Sequence, residues 1–197
     1  MEETDRFGPT PPEAGKSSFD LMDFEEFFKA LPLPAEGTVA DLGCGEGRYS
    51  IAIAERAGPG TKVWGFDLWE EGIKKLSASA AALGLGNLTA RRANLTDLSC
   101  LDAGCVDLVL MVTVLHDLAE RGDDARCLAE ARRILKGNGF LAVVEFRKID
   151  SKPGPPVSMR LSPEEVATIA APSGFSVKET LDMGPSLYLT LLRPAPK

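Results

Sequence analysis

Three glycines at alternate positions, Gly43, Gly45 and Gly47, interrupt the stretch VADLGCGEGRYS from Val39 to Ser50. Such a run does chemistry through its backbone: glycine reaches angles closed to other residues and lets a ligand approach the main chain. Ahead of it, Val39, Ala40 and Leu42 read as a strand buried on both faces. Behind it a helix begins near Arg48, with Ile51, Ala52 and Ala54 inward, and its first N–H groups point into the turn. Twenty residues beyond Gly47, Asp67 closes a second apolar strand, KVWGFD. A carboxylate there can accept hydrogen bonds from a ribose diol, as in nucleotide sites of doubly wound folds.

Two other residues could move a proton. His116 is the only histidine in the chain and follows an apolar run, while Glu145 lies near the end of another, GFLAVVEF. In an open parallel sheet both stand at C-terminal strand ends, where ligands bind. Each is therefore a candidate base, weighed against a structural imidazole for His116 and a cap or salt bridge for Glu145. Arg160 is a candidate to bind an acidic ligand, or else a solvated cation.

The elements that position these groups alternate between strand and helix, which means a parallel sheet. Residues 1–17, rich in Pro, Gly and acids, read as a mobile tail. An apolar helix is expected over residues 18–33, with Phe19, Met22, Phe27 and Leu31 at helical spacing, either core packing or a lid. After KVWGFD come a helix from Glu70 to Leu83 closed by Gly84, a weak strand Leu88 to Arg92, a strong strand Val106 to Leu115, a helix Asp123 to Leu135 and a strand Gly139 to Phe146. Lys148 to Arg160 is too proline-rich for regular structure and reads as a long loop. Ser162, Pro163 and Glu165 form a capping box with proline at the first helical position. Two strands around Val177 and Leu189 follow without a helix between them, so they are antiparallel neighbours.

A chain of 197 residues is about one domain, here residues 18–197. The net charge of -7 disfavours a nucleic-acid surface, which needs clustered cations. No apolar run approaches the roughly 20 residues that span a bilayer, and the first residues lack the pattern of a signal peptide, so a cytoplasmic protein without membrane insertion is expected. Cys44, Cys100, Cys105 and Cys127 contain no CxxC, and one histidine leaves few ligands for zinc. Cys100 and Cys105 either pair, bind a soft metal, or are half-buried thiols, and the last reading is favoured, with no metal site expected.

Taken in order, VADLGCGEG, GFD, VDLVLMVTVLHDL and ILKGNGFLAVVEF resemble the motifs of the class I S-adenosylmethionine-dependent methyltransferases, over nearly the whole chain from Val39. VLHDL, and RLSPEE followed by SGF, are most similar to the small-molecule branch of the ubiquinone and menaquinone biosynthesis type. The resemblance implies an α/β, Rossmann-like sheet of seven strands in the order 3-2-1-4-5-7-6, strand seven antiparallel, with helices on both faces. It also implies S-adenosylmethionine as methyl donor, S-adenosylhomocysteine as product and a small-molecule acceptor; oligomeric state stays open. Gly43, Cys44, Gly45 and Gly47 then hold the methionine end, with Asp41 orienting water or the amino group. Asp67 meets the ribose and Leu68 the adenine, as do Asn94 and Leu95, where the family often carries Asp; an Asn oxygen can still accept a hydrogen bond there. Met111, Val112 and Thr113 line the sulfonium end. The competing readings are a non-catalytic subunit or regulator that holds the same ligand, and a nicotinamide-dependent oxidoreductase. The latter's fingerprint puts a third glycine where this chain has Arg48, and its sheet lacks a reversed final strand.

Overall fold

The computed structural model describes residues 7, 10–150 and 152–195. Its strands are β1 (Gly37–Leu42), β2 (Thr61–Asp67), β3 (Leu88–Arg92), β4 (Val106–Val112), β5 (Leu135–Phe146), β6 (Phe175–Asp182) and β7 (Leu187–Pro194). They form one sheet in the order β3-β2-β1-β4-β5-β7-β6. The pairs from β3 across to β5 are parallel, and β7 runs antiparallel to β5 and β6. The order and the reversed last strand are those expected from the motifs, and the reversal argues against the dinucleotide arrangement.

Burial on both sheet faces follows from the period of two along each strand. Leu108, Leu110 and Val112 of β4 pack into one cluster with Phe27, Ile53 and Leu76, while Val109 and Met111 join the other with Leu115, Leu128 and Val166. The first cluster draws on α1 (Phe24–Ala30), α2 (Arg48–Ala57) and α3 (Glu70–Ala82); the second draws on α4 (Leu115–Arg121), α5 (Asp124–Ile134) and α6 (Pro163–Ala170). The Ser162 capping box is formed as read from the sequence, with Pro163 opening α6.

Several segments differ from expectation. The strand expected from Gly139 begins at Leu135, directly after α5, and the proline-rich loop holds one 3-10 turn, Val157–Met159. The helix expected over 18–33 is divided into a 3-10 turn, Phe19–Leu21, and α1; Met22 is extended, and the Asp23 carboxylate accepts from Glu25 N–H and Glu26 N–H, which restarts the helix. The strand expected to run to Leu115 stops at Val112. Thr113, with φ of 49°, breaks it, and α4 begins at Leu115. The apolar run continues because the first turn of α4 is itself buried, so composition alone could not separate strand end from helix start. Of the expected tail, residues 1–6, 8 and 9 lie outside the described residues; residues 10–18 run over the C-terminal ends of the strands, through a turn at 12–15.

Candidate functional site

A cavity of about 540 Å³ opens at those strand ends, adjoined by a chamber of about 40 Å³. The turn after β1 forms its floor. Gly43 N–H and Cys44 N–H donate to Phe66 O at the end of β2, at 2.8 and 3.0 Å, which pins the turn to the neighbouring strand. The three glycines divide the work. Gly43, Gly45 and Gly47 all have positive φ, but a Cβ on Gly43 would lie 2.6 Å from Val114 and one on Gly47 would overlap the Leu76 methyls, whereas one on Gly45 meets nothing within 4 Å. All three border the smaller chamber and Gly43 and Gly45 the larger, but only Gly45 has open space over its Cα; Gly43 and Gly47 are also fixed by close packing.

Asp67 is held from both sides: its Oδ2 accepts from Gly45 N–H and its Oδ1 from Trp69 N–H, each at 2.8 Å. A carboxylate has about four lone-pair sites, so it is oriented yet can accept more. Leu68 and Leu95 line the same cavity, and Arg92 fixes the chain between them by donating to Leu68 O and to Glu70. Asn94 also borders the cavity, but its Oδ1 already accepts from Thr96 N–H and Thr96 Oγ1, so the side chain offers its NH2 group to a ligand and not the oxygen expected. Val112 and Thr113 line both chambers; Met111, on the opposite face of β4, is fully buried in the core and borders neither.

Asp41 and Cys44 border the smaller chamber. Asp41 is 1% exposed and accepts a hydrogen bond from Ser50. Burial, reinforced by the charge of Asp67 and opposed by the Ser50 hydroxyl, raises its pKa from 3.8 to about 7. The folded state thus holds this proton more tightly than the unfolded chain. The group's contribution is full below about pH 4 and is lost as pH rises towards 7, by up to about 1.4 kcal/mol per pH unit. Asp41→Asn keeps an acceptor for Ser50 and carries no charge, so it is expected to gain stability relative to the wild type between pH 5 and pH 8. Urea unfolding at the two pH values checks this; an equal difference at both would contradict it.

On the far side of the cavity His116 and Glu145 meet, although 29 positions separate them. The Glu145 carboxylate is fully buried and grips one residue with both oxygens: Oε1 accepts from His116 N–H at 3.1 Å and Oε2 from Nδ1–H at 2.7 Å. The neutral ring then bears its lone pair on Nε2, which lies 3.4 Å from Asp117 Oδ1 beside the cavity. Burial alone would lower the pKa of His116. The hydrogen bond and charge of Glu145, with the charges of Asp117 and Glu13, outweigh it and hold the imidazole above its ordinary value.

The remaining wall is the loop between β5 and α6, presented through Pro153–Pro156 and Met159, with Leu21, Leu118 and Phe146 beside it. Arg160 is not an acceptor ligand in this arrangement. Only 3% exposed, it donates to the carbonyls of Arg147, Ile149, Pro153 and Pro155 and so binds the proline loop to itself. A proline-rich segment has few N–H groups to satisfy its own carbonyls, and the guanidinium supplies donors in their place. Asp117 was within reach of sequence reasoning as the neighbour of His116; Tyr49, Ser18 and Glu13 carry no local signal. The four cysteines are free thiols, and among the described residues no group of three or more His, Cys, Asp or Glu side chains is placed to hold a metal ion.

A family model described as a methyltransferase domain matches residues 33–179, and the chain belongs to that family. The nocamycin O-methyltransferase of Saccharothrix syringae is 32% identical over 120 residues, 61% of this chain and 39% of that protein. The chain thus spans about two fifths of the length of the curated relative it matches. Among solved structures, a SAM-dependent methyltransferase from Aquifex aeolicus superposes with a TM-score of 0.80, covering 98% of each chain at 24% identity. Mitomycin 7-O-methyltransferase gives 0.70, covering 86% of this chain and 52% of that one at 20% identity. These structural likenesses speak to the fold, which is that of the class I S-adenosylmethionine-dependent methyltransferases.

Proposed function

We propose that this chain is an S-adenosylmethionine-dependent methyltransferase acting on a hydroxyl group of a small molecule, with residues 18–197 as its single catalytic domain. The residues present suit the donor: an open backbone at Gly45, an oriented carboxylate at Asp67, apolar side chains at Leu68, Leu95 and Val112, and hydroxyls at Ser18, Tyr49 and Thr113 beside Asp41. When bound, S-adenosylmethionine supplies a methyl group already activated by its sulfonium.

The observation that carries the acceptor side is His116 set between Glu145 and the cavity. Neutral His116 accepts a proton on Nε2 from the acceptor hydroxyl, and Glu145 stabilises the imidazolium that results. An amine with a free lone pair has less need of such a base, so the pair favours oxygen. The nocamycin and mitomycin enzymes are named as O-methyltransferases, in keeping with this reading. The likeness to the ubiquinone and menaquinone type adds less, since RLSPEE here is a helix cap and SGF the turn that ends the same segment, both roles of the fold.

Saturating S-adenosylhomocysteine is expected to raise the melting temperature by several degrees, because a native-state ligand at a hundredfold its Kd adds about 2.7 kcal/mol. S-adenosylmethionine with a panel of phenols and enols should then release S-adenosylhomocysteine. A shift with NADH and none with either sulfur ligand would reverse the assignment; a shift without turnover on any acceptor favours the non-catalytic reading.

A further inference from the structure

Ser18 is 2% exposed, although it ends a segment whose backbone has little to hold it. Within residues 10–18 the backbone bonds close local turns, Ala14 N–H to Pro11 O and Lys16 N–H to Glu13 O, and among the described residues none joins the segment to a strand. Its anchorage comes from side chains. Ser18 Oγ hydrogen-bonds with Tyr49 Oη at 3.1 Å and with Thr113 Oγ1 at 3.2 Å. Tyr49 lies in the first turn of α2, directly after the glycine turn, and Thr113 is the non-glycine residue with positive φ that ends β4. A threonine in that conformation costs about 1–3 kcal/mol and persists only where its surroundings hold it. Beyond Ser18, Phe19 packs on Tyr49 and under the Arg48 guanidinium, and Asp20 accepts two hydrogen bonds from Arg48.

The segment thus lines both chambers: Lys16 and Ser18 border each of them, and Glu13 borders the larger one together with His116 and Asp117. We propose that Ser18 is a positioning residue of the methyl-donor site, the latch through which residues 10–18 close as a strap over the bound donor. This inference rests on the methyl-donor reading of the cavity. Leu118, Arg121, Pro153 and Met159, which line the larger chamber outside the strap, are left to the acceptor. Donor exchange therefore requires the latch to open, while acceptor entry does not. Few backbone bonds and a handful of side-chain contacts are the marks of a segment that opens locally without global unfolding.

The test follows S-adenosylhomocysteine by calorimetry and stopped-flow dissociation, and the strap by trypsin cleavage of the Lys16–Ser17 bond read by mass spectrometry. In the wild type the ligand should slow that cleavage. Ser18→Ala should release the ligand about tenfold faster, the size expected for losing two hydrogen bonds, and should cleave faster with ligand present. Ser18→Thr, which keeps the hydroxyl, should restore slow release. Asp20→Asn, at an exposed pair that cannot endanger folding, should give a smaller change in the same direction. Wild-type release from Ser18→Ala, or cleavage at Lys16 indifferent to ligand, would overturn the latch while leaving the donor assignment standing. Failure of the wild type to bind S-adenosylhomocysteine at all would remove both.

Discussion

His116→Asn is expected to lower kcat/KM for methyl transfer by about 10²–10⁴-fold, the usual contribution of a positioned base, while S-adenosylhomocysteine binds as in the wild type. The asparagine amide can still donate to Glu145, so the buried carboxylate keeps a partner, but nothing remains at the place of Nε2 to take a proton. Alanine is the poorer probe, because an uncompensated buried charge is itself strongly destabilising. The pH profile gives the sign. Only neutral His116 acts, and Glu145, Asp117 and Glu13 hold its pKa above 6.5 against the effect of burial. Activity should therefore rise with pH along a limb whose midpoint lies above the ordinary imidazole value.

Asp117→Asn, by removing one of those charges, should move the limb to lower pH. Glu145→Gln should cost more than a charge. An amide NH2 can donate to Nδ1 and hold the tautomer whose Nε2 already carries the proton, so raising the pH would not restore activity. Initial rates between pH 6 and pH 9 decide between these outcomes; a flat profile for the wild type, or His116→Asn at full activity, would remove the histidine from the chemistry.

The second large effect separates the three glycines. Gly45→Val should weaken S-adenosylhomocysteine binding by at least about tenfold and lower stability only by the strain of a side chain at φ of 58°, about 1–2 kcal/mol, because its Cβ enters open space in the cavity. Gly47→Ala should do the reverse in proportion. Its Cβ overlaps Leu76, a fully buried side chain, and its φ of 81° is strained for alanine, so a loss of about 2–4 kcal/mol in urea unfolding is expected. Equal loss of stability in both variants would mean that the glycines serve the turn alone.

The capping box at Ser162, the weak strand Leu88–Arg92 and the paired final strands were legible because each depends on residues a few positions apart. The break at Thr113 was not. A buried strand and the buried first turn of a helix share one composition, and only the backbone angle of Thr113 divides them. Met111 and Arg160 failed for a related reason: strand phase sends Met111 away from the cavity, and unsatisfied carbonyls in a proline loop claim Arg160. Ser18 and Glu13 had no sequence mark, since a segment without periodicity carries no information about where it lies.

By itself the sequence determined a parallel sheet, a glycine cradle at the end of β1 and an acid at the end of β2, because hydrophobic period and backbone freedom are local properties. The tertiary structure decided which glycine has open space over its backbone, that Glu145 orients His116, and that Ser18 reaches Thr113 across 95 positions. Those are meetings of distant residues, set by how helices and loops pack around the strand ends, and no local pattern encodes them.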